Sequence, residues 1–161
     1  LIKQKQDGIV KAYQLDETKD KMIAGEAALA VVYSGDALYA MEGSEDLAYV
    51  VPMEGSNIWL DGMCIPKESK NPEAAMVFID YMCRPDIARM NMDYIWYASP
   101  NAEALETYPA YYEETYGEPL DPALYEIMAP SQEVLDRCEA YLVLPAETRT
   151  LYNDLWTQLG I

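Results

Sequence analysis

Histidine is absent from this chain of 161 residues. Its absence removes the commonest general base and the commonest metal ligand. Cysteine is scarce: Cys64, Cys83 and Cys138 lie far apart and form no C-x-x-C pair. Without histidine to complete a set, the usual zinc patterns fail, and the three read as small buried hydrophobes. Basic residues are few, 11 Lys and Arg against 28 Asp and Glu, giving a formal charge of −17. No nucleic acid is expected as a partner, because phosphate binding draws on Lys and Arg clusters. A cationic partner or a small cation suits this charge. No apolar run approaches the roughly 20 residues of a membrane span. No signal peptide is visible, and the chain opens on Leu1, so it reads as a fragment or a processed product. There is no glycine-rich phosphate loop, nucleophile elbow or metal-ligand cluster. No cofactor and no metal is therefore expected, and the reading is not that of an enzyme.

What is present is a globular composition. The 51% apolar fraction supports a packed core despite the charge. Asp16 or Glu17 opens a short helix over "ETKDKMIAG", with Gly25 just past its end. "AALAVVY", residues 27–33, reads as a buried strand, and Ser34 caps the helix that follows. "LAYVVP" reads as a second strand and "NIWLDGMCIP" as a third. Asn71 and Pro72 then open an amphipathic helix whose apolar face carries Ala75, Phe78, Ile79 and Met82. Pro85 starts another helix, and "YASPNAEAL" enters a further one near Asn101. The Tyr-, Glu- and Pro-rich run from Thr107 to Met128 reads as an exposed connection with short turns. "PSQEVLDRCEAY" reads as a helix capped by Ser131, and Pro145 starts the last helix. Its apolar side carries Leu151, Leu155, Trp156 and Leu159. The methionines Met76, Met82, Met90 and Met92 read as core filler. The class is α/β.

The third strand raises the functional question. Ile58, Leu60 and Cys64 fall on one side and are expected to hold it in the core. Asn57, Trp59, Asp61 and Met63 fall on the other. A carboxylate pointing into a dry core without a partner is costly, so that face is wet or meets a cation. An indole face attracts a cation by about 0.5–2 kcal/mol. A neighbouring carboxylate adds a charge-assisted hydrogen bond to an ammonium group. On spacing alone two readings stand: an amine-holding pair, or an edge strand with a partly exposed Trp59 and a solvated Asp61. Tyr33 ends a strand where the next helix begins, a common ligand position in α/β sheets, and a core tyrosine fits it equally. Asp36, in the first turn of that helix, reads as a carboxylate favoured by the helix dipole. Glu113 and Glu114 are adjacent and face different ways, so they form no acid/base pair.

The order "KMIAGEAALAVVYSGDALYAM", then "DLAYVVPMEGSNIWLDGMCIPKESKNPEAAMVFIDYMCRPDIA", then "YIWYASPN", closing on "LYNDLW", resembles the spermidine/putrescine-binding proteins of ABC transporters. It resembles the carboxyl-terminal half of such a protein. The resemblance implies a partial type 2 periplasmic-binding-protein-like fold, one stretch of a molecule with two α/β lobes that close on a polyamine. Residues 1–48 are then a second-lobe segment, 49–61 hinge-crossing strands, and 62–130 a first-lobe segment. Residues 131–161 are helices returning to the second lobe. It further implies Tyr33, Trp59 and Asp61 as ligand-binding residues, with two aromatic faces on the ligand and one acid on an ammonium group. A glutamine-like contact of the family falls on Leu142 here, which removes one ligand hydrogen bond. The implied partners are a polyamine and an ABC transporter permease, and the implied location is extracellular or periplasmic, membrane-associated through the parent protein or its permease. Self-association of the fragment is a further expectation. The alternatives are a site for another organic cation or an iron complex, and an acidic protein–protein interaction domain using the Tyr/Glu run.

Overall fold

The structure is a computed structural model that describes residues 1–160. It is dominated by helices. In chain order these are α1 (Ile2–Gln6), α2 (Glu17–Ile23), α3 (Ser34–Gly43), α4 (Pro72–Met82), α5 (Pro85–Ile95), α6 (Ala102–Tyr116), α7 (Pro122–Met128), α8 (Gln132–Leu135) and α9 (Ala146–Leu159). Two short strands, β1 (Asn57–Ile58) and β2 (Glu139–Ala140), pair in parallel with Asn57 opposite Glu139.

Local signals explain several helix ends. The Asn101 side chain accepts from the Ala104 amide at 3.0 Å, and its own amide donates to the Cys83 carbonyl at 2.8 Å. One residue thus starts α6 and ties it to the end of α4. Asp121 caps α7 by accepting from the Ala123 amide. Pro72 and Pro85 stand at helix starts, where a missing N–H costs nothing. Trp96 ends α5 in the left-handed region, φ +58°. That conformation is costly for a side chain of this size, and packing of Trp96 against the core holds it there.

The core is helical. Leu38 of α3, Ala88 and Met92 of α5, Ala104 and Tyr108 of α6 and Met128 of α7 form one buried cluster. The small alanines let the helices approach closely, while Tyr108 and Met92 fill the centre. Asp93 accepts from the hydroxyls of Tyr108 at 3.1 Å and Tyr116 at 2.8 Å, locking α5 to α6.

The run from Thr107 to Met128 is therefore not an exposed connection. It forms most of α6 and all of α7 and contributes two core residues. Pro109 in mid-helix obscured this. It has no N–H for the Leu105 carbonyl, and the Tyr125 hydroxyl of α7 donates to that carbonyl instead, at 3.0 Å. Tyr125→Phe is expected to leave the carbonyl without its protein donor and to cost about 1–3 kcal/mol in urea unfolding.

The strand readings need larger corrections. Residues 27–33 and 47–52 pair with nothing among the described residues, and Leu29 and Val31 lie almost fully exposed. Their sequences carry strand propensity, but a strand exists only with a partner. The third strand keeps only two paired residues. Its alternation is real, yet the burial is inverted: Asn57 and Trp59 are half-buried, whereas Ile58, Leu60 and Cys64 are exposed. Ile58 and Leu60 do not anchor it in a core. The segment read as one helix from Ser131 breaks after Leu135, and Glu139–Ala140 forms β2. Gly55 makes that pairing possible. Its φ is +100°, and a β-carbon there would strike the Arg137 carbonyl.

Other expectations fail in burial only. Cys83 is exposed and Cys138 partly so, and Met92 alone of the four methionines is buried. Phe78 of α4, and Leu151, Leu155 and Trp156 of α9, remain 41–57% exposed, while Leu159 is buried. These faces have little of the described chain to pack on.

Candidate functional site

Two of the three expected site residues come together at the start of α3. Tyr33 precedes that helix, and its carbonyl accepts from the Ala37 amide at 2.9 Å, which fixes where the aromatic side chain leaves the backbone. Trp59 follows β1, and its ring centroid lies 4.8 Å from that of Tyr33 at an interplanar angle of 56°. β1, just before Trp59, pairs with β2, its one strand partner among the described residues.

A third aromatic, not anticipated from the sequence, joins them. Tyr97 lies 6.2 Å from Trp59, edge on. It directly follows Trp96, whose left-handed turn sends the chain from the end of α5 back toward α3. Gly35 receives it. A β-carbon at position 35 would overlap the Tyr97 ring, so only glycine allows the ring to lie against the first turn of α3. Burial, and then the Asp36 carboxylate, hold the Tyr97 phenol above its usual pKa, so it remains a hydrogen-bond donor. Tyr97 of "YIWYASPN" and Gly35 of "YSGD" stand far apart in the sequence, and no spacing signal links them.

Two carboxylates stand near this cluster in different states. Asp36 pairs with the Lys19 ammonium at 3.2 Å, both side chains being about a quarter exposed. Asp61, two residues beyond Trp59, is exposed and forms no ion pair or hydrogen bond among the described residues. The structure does not fix Asp61 against the rings, as it does Tyr33 and Trp59. Trp59 is half-buried rather than deep in the interior, so its indole remains available at one side.

Three aromatic faces bordered by acid are suited to a cation carrying methylene groups. Ring quadrupoles attract the charge, the carboxylates accept from N–H donors, and the faces cover the alkyl chain. Among the described residues no group of acids or cysteines has the geometry of a metal site. The Tyr/Glu run offers less. Tyr108 is buried, and Tyr111 and Tyr112 pack against the core, so that stretch spends its aromatic surface internally. Leu142, where a polar ligand contact was expected to be lost, is 81% exposed and follows β2, the strand paired with β1.

Residues 1–115 match the family model described as bacterial extracellular solute-binding protein. The chain belongs to that family. The resemblance to spermidine/putrescine-binding proteins read from the sequence holds. A spermidine/putrescine-binding periplasmic protein of Salmonella typhimurium is 35% identical over 95 residues, 59% of this chain and 27% of the relative. Two solved structures agree over a longer span. A putative spermidine/putrescine ABC transporter protein from Listeria monocytogenes superposes with a TM-score of 0.72 at 36% identity, covering 91% of this chain and 42% of that one. The spermidine/putrescine ABC transporter substrate-binding protein PotD from Streptococcus pneumoniae gives 0.71 at 36%, covering 90% and 42%. The fold of this solute-binding family member is thus part of the periplasmic-binding-protein fold. The chain spans less than half the length of these relatives. The family is extracellular by description, and no described helix is long and apolar enough to cross a membrane.

Proposed function

We propose that this chain supplies an amine-holding face of a polyamine-binding protein serving an ABC transporter. The observation that carries the reading is the Tyr33–Trp59–Tyr97 cluster, with the unpaired Asp61 two residues along from its central ring. Tyr33 and Trp59 stack on the methylene and ammonium groups of putrescine or spermidine, Tyr97 closes the third side, and Asp61 neutralises one ammonium. The half-buried rings exclude water from one side of the guest, which strengthens each of these attractions. No bond is made or broken. The cycle is binding, lobe closure and delivery.

In the same proposal, residues 1–48 and 131–161 belong to one lobe, 62–130 to the other, and 49–61 to the crossing between them, with Leu38 of α3 packed where the two lobes meet. A permease is the downstream partner, and the protein reaches the membrane through it or through its parent chain. The bare extended segments around Leu29, Val31 and Val143 offer unpaired backbone for strand addition, which is the route for self-association.

A thermal-shift screen tests the ligand class. Putrescine or spermidine at a hundredfold excess over its Kd is expected to raise Tm by about 5 °C or more. A shift with iron complexes and none with any amine would reverse the assignment.

A further inference from the structure

Lys19 of α2 pairs with a carboxylate of α3. Its ammonium is 3.2 Å from Asp36 Oδ1 and 5.9 Å from the centroid of the Tyr39 ring. Asp36 in turn lies in the first turn of α3, one residue beyond the glycine on which Tyr97 rests. The Asp36 carboxylate, close enough to Tyr97 for its charge to raise that phenol's pKa, therefore already holds an ammonium group supplied by the protein.

We propose that Lys19 is an internal competitor for the guest and so sets its affinity. It occupies Asp36 while the site is empty and yields that carboxylate when an amine of the guest arrives. The inference rests on the polyamine reading above. Three features make the exchange feasible. A partly exposed single ion pair is weak and is readily displaced. From the same position the ammonium also lies over the half-exposed Tyr39 ring, a contact that can persist once Asp36 is released. The surrounding charge also favours retention nearby, since Asp16 and Asp20 of the same segment raise the Lys19 pKa after Asp36 itself. Lys19 would then contribute to selectivity. A guest with one ammonium must choose between Asp36 and Asp61, whereas one with two can displace Lys19 and still hold Asp61.

The test is calorimetric titration of putrescine and of a monoamine of equal length into wild type, Lys19→Met, Asp36→Asn and the double variant. Lys19→Met is expected to tighten putrescine binding by about three- to tenfold in the wild-type background and to do nothing when Asp36 is already Asn. The monoamine is expected to gain at least as much, because it lacks the second charge that overcomes the competitor. Equal or weaker putrescine binding by Lys19→Met, with circular dichroism unchanged, overturns the proposal and leaves the polyamine reading intact. If Lys19→Met alters the fold, Lys19→Gln replaces it under the same criteria. Absence of amine binding by wild type and by every variant overturns both.

Discussion

Asp61→Ala is expected to weaken polyamine binding at least about tenfold. An ammonium beside an indole is partly stripped of water, and there the loss of a carboxylate acceptor exceeds the effect seen at an exposed surface pair. Asp61 makes no other described contact, so its removal should leave the fold untouched, and the unfolding midpoint serves as the control. Asp61→Asn keeps the shape and a neutral acceptor and should recover part of the loss. Trp59→Ala should be worse. It removes the ring facing both Tyr33 and Tyr97, so two further aromatic contacts go with it. Isothermal titration of each variant with putrescine reads both effects. Unchanged affinity in Asp61→Ala removes the acid from the site.

The largest effect on stability is expected from Tyr108→Ala. Tyr108 is 1% exposed and lies at the centre of the helical cluster, with Tyr111 and Tyr112 ring centroids at 6.2 and 6.3 Å. Truncation leaves a cavity as well as lost burial, about 3–5 kcal/mol, a large part of the roughly 5–15 kcal/mol that holds a typical domain. Tyr108→Phe separates packing from polarity. The ring stays, and Asp93 keeps its bond from Tyr116 at 2.8 Å, so the cost should be about 1 kcal/mol. The same pair predicts alkaline sensitivity. Burial and then Asp93 push the Tyr108 phenol well above its usual range, and the hydrogen bond to Asp93 raises Tyr116 to about 12. Both folded values exceed the unfolded one. Their contribution is therefore complete below pH about 10 and is lost as pH rises through the folded pKa values. Urea midpoints should fall above pH 10 in wild type and fall less steeply in Tyr108→Phe.

Helices were legible in the sequence where the signal was local. Asn71–Pro72, Pro85 and Asn101 mark starts that depend only on neighbouring residues, and the structure places α4, α5 and α6 there. Strands were not, because a strand is a relation between segments. "AALAVVY" carries the propensity and lacks the partner. The Trp59 strand shows the same limit more finely: period two gave which residues share a face, but which face is covered depended on Tyr33 and Tyr97 arriving from elsewhere. The misreading of Thr107–Met128 had another origin. A proline inside a helix looks like a break until the hydroxyl that substitutes for its missing N–H is known, and Tyr125 lies on a different helix. In the site, Tyr33 and Trp59 could be singled out by the family resemblance, spacing alone having left both open. Tyr97 could not, since its position follows from the backbone reversal at Trp96 and the space at Gly35.

The central claim is that aromatic faces at the start of α3 cover the methylene chain of a polyamine. Intermolecular nuclear Overhauser effects between bound spermidine and the protein test this directly. The account predicts contacts from the ligand methylenes to the Trp59 indole and to the Tyr33 and Tyr97 rings. Bound spermidine whose only contacts are to the rings of α6, or to no aromatic residue, would contradict it.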